Sequence, residues 1–138
     1  MMSKSFHRLQ VLQNIVHELA HNKTRDETVD NTTFFLIDDE EIIGAVNIRH
    51  HLNDSLKKVG GHVSYGIRKK YRGKGYGKKI LKKALDNLSR IGVQEALITC
   101  NADNEISLSV IEHNGGEEIE PYTKEDGTTT RRFLFDIA

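Results

Sequence analysis

The most informative stretch of this 138-residue chain is Arg72-Gly73-Lys74-Gly75-Tyr76-Gly77. Its three glycines alternate with larger residues, so the backbone can turn tightly and its N–H groups can approach a ligand without interference from Cβ atoms. Residues 62–67 in front of it have the composition of a strand, and the residues behind it form an amphipathic helix. A strand, a glycine loop and a helix N-terminus together direct free N–H donors and the positive end of a helix dipole at one point. This arrangement predicts an anion-binding site.

The charges of the chain indicate which kind of anion is expected. Lysine and arginine together number 20, and so do aspartate and glutamate, but residues 68–83 hold nine of the basic residues and no acidic one. A local basic patch on a neutral protein favours a compact ligand with several negative charges over a nucleic acid. Two common phosphate-binding patterns do not fit. G-x-G-x-x-G has Lys78 where its third glycine belongs, and G-x-x-x-x-G-K-[ST] lacks both its first glycine and its last hydroxyl residue.

The pattern that does fit is R-x-x-G-x-G, with Arg72, Gly75 and Gly77 at its fixed positions. On this loop the chain resembles the GNAT superfamily of N-acetyltransferases, whose members hold the pyrophosphate of acetyl-coenzyme A (acetyl-CoA) there. The resemblance implies acetyl-CoA as co-substrate and no metal. It also implies a set of cofactor-binding residues: Ile67, Arg72, Gly73, Lys74, Gly75, Tyr76, Gly77, Lys78 and Asn104.

The rest of the chain is predicted to form one α+β domain over residues 1–138, in the order α-β-β-β-α-β-α-β-β around one mixed, mostly antiparallel sheet. The helices are expected at residues 5–22, 76–91 and 104–114, from apolar residues at helical spacing. The strands are expected at residues 33–37, 41–52, 62–68, 96–100, 116–122 and 129–137. This order matches the GNAT fold without its opening strand and helix, which indicates a chain that is either naturally short or truncated.

The resemblance also predicts catalytic residues, with two departures from the family pattern. Many relatives carry a glutamate as general base early in the third strand, and His62 stands at that position. Two roles for His62 are given equal weight: the general base, and a strand histidine whose hydrogen bonds are satisfied by a neighbour. The usual tyrosine that protonates the leaving thiolate is replaced by Ile111. Either the thiolate leaves with help from water or the backbone, or another group such as Tyr65 or Cys100 takes that role. His50 is a second candidate base, because Arg49, His50 and His51 concentrate polar groups at a strand end.

Three other functions are considered. Residues His17-Glu18-Leu19-Ala20-His21 match the zinc-protease pattern H-E-x-x-H, which makes a zinc metallohydrolase the alternative enzyme. Against it, Thr24 stands where the extended pattern requires glycine, and only 16 residues precede the motif. The missing tyrosine raises the possibility of a non-catalytic coenzyme A sensor. An RNA-binding role is disfavoured because aromatic stacking partners near the basic patch are limited to Tyr71 and Tyr76.

The remaining expectations concern location and partners. Cys100 is the single cysteine, which excludes an internal disulfide and favours a reducing cytoplasm. No apolar run reaches membrane-spanning length. The expected partner is a small-molecule or peptide amine, with neither nucleic acid nor membrane. A homodimer is possible because the absent first strand leaves a sheet edge to be covered. Nothing in residues 5–60 selects among amine acceptors.

Overall fold

The computed structural model describes residues 29–138, so the helix expected over residues 5–22 lies outside the described part. The elements are β1 (Asn31–Asp38), β2 (Glu41–Arg49), α1 (Asp54–Lys58), β3 (Val63–Ile67), α2 (Tyr76–Arg90), β4 (Glu95–Asn101), α3 (Glu105–His113), β5 (Glu117–Thr123) and β6 (Thr129–Asp136). All the strands and the two later helices occur where the sequence predicts them, with bounds that differ by a few residues. The five-residue helix α1 is new, since its segment was predicted as a connection.

The strands form two antiparallel sheets instead of the single sheet that we expect. One sheet has the order β1-β2-β3, and the other has the order β4-β6-β5. They meet where Gly61 pairs with Ile98 and the His62 N–H donates to the Leu97 carbonyl at 2.7 Å. Beyond this junction, β3 and β4 exchange no backbone hydrogen bonds in the part of the chain that the structure describes. We call the resulting opening the β3–β4 gap.

A shared hydrophobic core joins the two sheets. Helices α2 and α3 both pack on it, and the core takes apolar side chains from β2, β3, β4 and β6. The predicted apolar stripe of α2 supplies its share through five buried residues: Ile80, Leu81, Ala84, Leu85 and Leu88. Full burial of one such large side chain stabilises the fold by roughly 1.5–3 kcal/mol. The core therefore fixes the axis of α2 and with it the position of the glycine loop.

The junction between the sheets gives a first testable prediction, on Gly61. Its backbone is left-handed (φ +62°), and a Cβ there would lie 2.3 Å from the Leu97 carbonyl oxygen. We expect Gly61→Ala to lower the free energy of unfolding by about 2–4 kcal/mol, from backbone strain and from a backbone clash. Gly127→Ala is the control, because Gly127 is also left-handed (φ +88°) but has nothing within 4 Å of its Cβ position. Urea denaturation measures both, and an equal loss in the two variants would refute the close packing at Gly61.

Candidate active site

The glycine loop presents an open backbone at the start of α2. Gly73 and Gly75 have φ of +77° and +85°, the left-handed region that glycine adopts most easily, and no atom lies within 4 Å of either Cβ position. Gly75 is the N-cap of α2 and supplies no side chain to the N–H groups of the first turn. Those N–H groups are therefore available to a bound anion. The geometry is the one that the sequence predicts for this loop.

The residues on either side of the glycines hold the loop in place. Arg72 is exposed, and its Nε donates to the Ile67 carbonyl at 2.9 Å, which links the loop to the end of β3. Gly77 lies in the first turn of α2, where a Cβ would lie 3.2 Å from the Val110 side chain. The third glycine thus allows α2 to approach α3 closely. Lys74 lies within the loop and Lys78 directly follows it, and neither makes an ion pair with an acidic residue of the described chain.

Tyr65 lies between the glycine loop and the β3–β4 gap. It is half-buried against the core, and its hydroxyl lies 3.7 Å from the Cβ position of Gly77. Burial raises the pKa of Tyr65, and the neighbouring Ser107 side chain opposes part of that rise. The phenol is therefore protonated at neutral pH and can donate a hydrogen bond. Cys100 is close enough to influence it, and burial raises the pKa of the Cys100 thiol as well.

His62 is buried at the junction of the two sheets. Its Nδ1 accepts the Leu97 N–H at 2.9 Å, so the neutral ring carries its hydrogen on Nε2 and has no free lone pair. Burial, together with the nearby Arg49 guanidinium, lowers the pKa of His62 to about 4. These contacts support the second role considered for this residue, a strand histidine satisfied by its neighbour. They do not favour the general base.

Titration of His62 predicts a pH dependence of stability. Because the pKa is about 4 in the folded chain and about 6.5 when unfolded, the unfolded chain binds more protons between these values. The free energy of unfolding therefore falls by up to about 3 kcal/mol as the pH drops from 6.5 to 4. We expect His62→Gln to lack this part of the acid destabilisation, in urea denaturation at pH 7, 5.5 and 4.5. A stability difference between wild type and His62→Gln that is constant over this pH range would contradict the lowered pKa of His62. A 10²–10⁴-fold loss of turnover in the folded variant would instead support His62 as the general base.

The other polar residues near the end of β2 have different surroundings. His50 lies beside the outer strand, where its Nε2 is 2.7 Å from the Thr32 hydroxyl. Arg49 is buried, and its guanidinium donates to the carbonyls of Gly60 and Gly61 and to the Ser64 hydroxyl. Arg49 therefore ties β2 to the residues that enter β3. His51 is exposed.

Asn104, which precedes α3, and Ile111 within α3 stand at positions to which the family resemblance gives a role. Asn104 is the N-cap of this helix, and its side chain accepts the Ser107 N–H at 3.1 Å. Ile111 is buried in the shared core at 2% exposure. A tyrosine at this position would have to displace core side chains, so residue 111 is part of the packing. Ile111 has no proton to donate, so a leaving thiolate would rely on another side chain, on the backbone or on water.

Metal-ligand clusters and membrane-spanning helices are both absent from residues 29–138. No group of three or more His, Cys, Asp or Glu side chains in that range could hold a metal ion. None of the helices there is long and apolar enough to cross a bilayer. The pattern His17-Glu18-x-x-His21 lies outside the described residues.

The fold and the glycine loop point to one class of protein, and comparison with known proteins identifies that class. The chain belongs to the acetyltransferase (GNAT) domain family, whose model matches residues 7–117. It is 30% identical over 83 residues to N-alpha-acetyltransferase 30 of Schizosaccharomyces pombe, over 60% of this chain and 55% of that protein. The chain thus spans about half the length of that relative.

Solved structures agree on the fold. A putative acetyltransferase, yncA of Salmonella typhimurium with its cofactor acetyl-CoA, superposes with a TM-score of 0.66 at 14% identity, over 93% of this chain and 87% of that one. A spermidine N-acetyltransferase chimera, of SpeG from Vibrio cholerae and hSSAT, superposes with a TM-score of 0.71 at 15% identity, over 99% and 95% of the two chains. The resemblance to the GNAT superfamily and the α+β fold class are confirmed.

Two partners in the site are not evident from the sequence. Ser107 lies close enough to Tyr65 to lower the pKa of its phenol, and this proximity depends on how α3 packs beside β3. Glu41 was assigned only to the start of a strand, yet its carboxylate accepts hydrogen bonds from residues next to the glycine loop. No local pattern marks such a contact, because the partners are about 30 residues apart in the sequence.

Proposed function

We propose that this domain transfers the acetyl group of acetyl-CoA to a primary amine by direct attack. The observation that carries the proposal is the open glycine loop at the N-terminus of α2, at the mouth of the β3–β4 gap. The loop N–H groups and the lysines beside them suit a pyrophosphate, and the gap suits an extended chain that leads from it. The yncA structure with acetyl-CoA supports the choice of cofactor.

The reaction needs a group that supports the departing thiolate. As the amine nitrogen bonds to the acetyl carbon and the carbon–sulfur bond breaks, negative charge develops on sulfur, and the amine loses a proton to a base. Tyr65 is the donor that we assign to the thiolate, because its protonated phenol lies between the loop and the gap. A hydrogen bond to a developing charge in a partly buried site is worth more than one in water.

The base for the amine proton remains among His62, His50 and water. Neither imidazole is well placed by its contacts, since the Nδ1 of His62 is occupied by a backbone N–H and His50 contacts the outer strand. We therefore favour a water molecule, which carries the proton to solvent. The remaining residues that the family resemblance assigns to the cofactor, Ile67 and Asn104 among them, keep those roles as part of the proposal.

A protein or peptide N-terminus is the acceptor class that we propose. Support comes from the relative in Schizosaccharomyces pombe, whose name specifies an N-alpha-acetyltransferase. The spermidine N-acetyltransferase chimera shares the fold at low identity, which makes polyamines the comparison substrate. We place the reaction in the cytoplasm, in keeping with the single cysteine. A homodimer through the outer edge of β1 is the proposed assembly, which light scattering would measure.

The test is a calorimetric titration with acetyl-CoA, followed by turnover on a panel of N-terminal peptides, polyamines and amino acids. Binding with turnover on a peptide supports the full proposal. Turnover on a polyamine alone would correct the acceptor class. Binding without turnover on any amine would favour the coenzyme A sensor, for which the buried Ile111 is the motivating observation. No binding of acetyl-CoA, together with one tightly held zinc per chain, would favour the metallohydrolase.

A further inference from the structure

The segment that leads from β3 into the glycine loop is not anchored by the hydrophobic core. Residues Lys69–Tyr71 form one 3-10 turn that contains no buried residue and has no side-chain cap. The glycine loop itself is exposed on its far side. A short turn of this kind has little stability of its own, so its conformation must depend on contacts with a neighbouring element.

That neighbour is the beginning of β2. The Arg68 N–H donates to the Ile43 carbonyl at 2.8 Å, and its Nη1 donates to the Ile42 carbonyl at 3.1 Å. At the first residue of β2, one oxygen of the Glu41 carboxylate accepts a hydrogen bond from the Tyr71 hydroxyl. The other oxygen accepts a hydrogen bond from the Lys70 ammonium at 3.0 Å. Glu41 is the one acidic residue of the described chain that forms an ion pair with this segment.

Tyr71 lies at the centre of the loop cations. The Arg68 guanidinium and the ammonium groups of Lys70 and Lys74 lie 5.7, 5.1 and 6.0 Å from its ring centre, within the range of cation–π attraction. The Tyr76 ring meets it edge-on, with centres 6.1 Å apart and an interplanar angle of 88°. The Tyr71 ring thus contacts both sides of the glycine loop, and its hydroxyl is held from β2.

Both partners keep their ordinary charge near neutral pH. The hydrogen bond from Tyr71 lowers the pKa of Glu41, and the Lys70 ammonium adds to the effect. The same hydrogen bond raises the pKa of Tyr71. A carboxylate therefore accepts from a phenol throughout the neutral range, and such charge-assisted bonds are the stronger class of hydrogen bond.

We propose that Glu41 is a positioning residue of the cofactor site, which through Tyr71 holds the glycine loop open for acetyl-CoA. The inference rests on the proposed function, since it concerns the same loop. The direction in which acetyl-CoA affinity changes when Glu41 is removed distinguishes two effects. A carboxylate beside an anion site repels the ligand, so removing Glu41 should tighten binding if the charge alone matters. If Glu41 acts by holding Tyr71, its removal weakens binding.

The experiment is a calorimetric titration of the intact chain with acetyl-CoA, using wild type, Glu41→Ala, Glu41→Gln, Tyr71→Phe and the double variant Glu41→Ala/Tyr71→Phe. We expect Glu41→Ala and Tyr71→Phe each to raise the Kd about 5- to 20-fold, and the double variant to do no worse than the weaker-binding single variant. Glu41→Gln should recover part of the affinity, because its amide oxygen still accepts from the Tyr71 hydroxyl. KM for acetyl-CoA should follow the Kd, with kcat unchanged at saturation.

Glu40→Gln is the matched control. It removes the same charge one residue away, and Glu40 makes no hydrogen bond or ion pair with the loop among residues 29–138. We expect it to leave the Kd within about twofold of wild type. Tighter binding in Glu41→Ala, or additive losses in the double variant, would overturn the proposal. Failure of the wild type to bind acetyl-CoA would instead reject the proposed function. Equal melting temperatures across the set confirm that each variant is folded.

Discussion

Gly75→Asp abolishes acetyl-CoA binding, with a Kd at least about 100-fold above wild type, if the glycine loop receives the pyrophosphate. The Cβ position of Gly75 faces open space with no atom within 4 Å, so the new side chain enters the ligand's volume and not the protein. Its carboxylate would take the place of the anion at the helix N-terminus and repel the phosphates. Calorimetry with acetyl-CoA measures the effect.

The variant is expected to fold well. Aspartate tolerates left-handed backbone better than most residues, and a negative charge at a helix N-terminus is stabilising. Gly75→Asn is the control, since it has nearly the same size without the charge, and we expect a smaller loss of affinity. Gly77→Asp should also remove binding, but it is a less clean test because its side chain meets Val110. Wild-type affinity in folded Gly75→Asp would show that the cofactor binds elsewhere.

Tyr65→Phe lowers kcat by about 10²-fold while the Kd for acetyl-CoA changes little, if the phenol stabilises the leaving thiolate. The substitution removes one hydroxyl and keeps the ring that packs against the core. Because burial raises the pKa of Tyr65, the hydroxyl stays protonated through the neutral range and can donate a hydrogen bond there. Steady-state kinetics with an identified acceptor measures the loss.

Two further variants separate the alternatives. Ser107→Ala removes a hydroxyl that lies near the Tyr65 phenol and lowers its pKa, and we expect an intermediate loss of kcat. Cys100→Ala tests the other donor considered from the sequence, and we expect a smaller effect because a thiol S–H is a weak hydrogen-bond donor. If Tyr65→Phe retains wild-type kcat and Cys100→Ala does not, the thiol is the donor. If neither variant changes kcat, the thiolate leaves without a side-chain donor.

The features that were predicted correctly depend on local physical chemistry. The glycine loop was recognisable because a tight backbone turn with free N–H groups requires glycine at closely spaced positions, and both Gly73 and Gly75 are left-handed in the structure. Helix α2 was predicted with nearly its observed bounds because an apolar stripe at helical spacing is a property of one continuous segment. Helix α1 was missed because five residues are too few to show a period, even with Asn53 as a capping residue.

What required the tertiary structure are the contacts between distant residues. The division into two sheets follows from how β3 and β4 meet at Gly61 and then diverge, which no local pattern encodes. The same holds for side chains: the Nδ1 of His62 is occupied by a backbone N–H 35 residues away, and Tyr71 is held by a carboxylate 30 residues away. A residue type states which protons and charges a side chain can offer, whereas its pKa and its free lone pairs are set by the groups that folding brings to it.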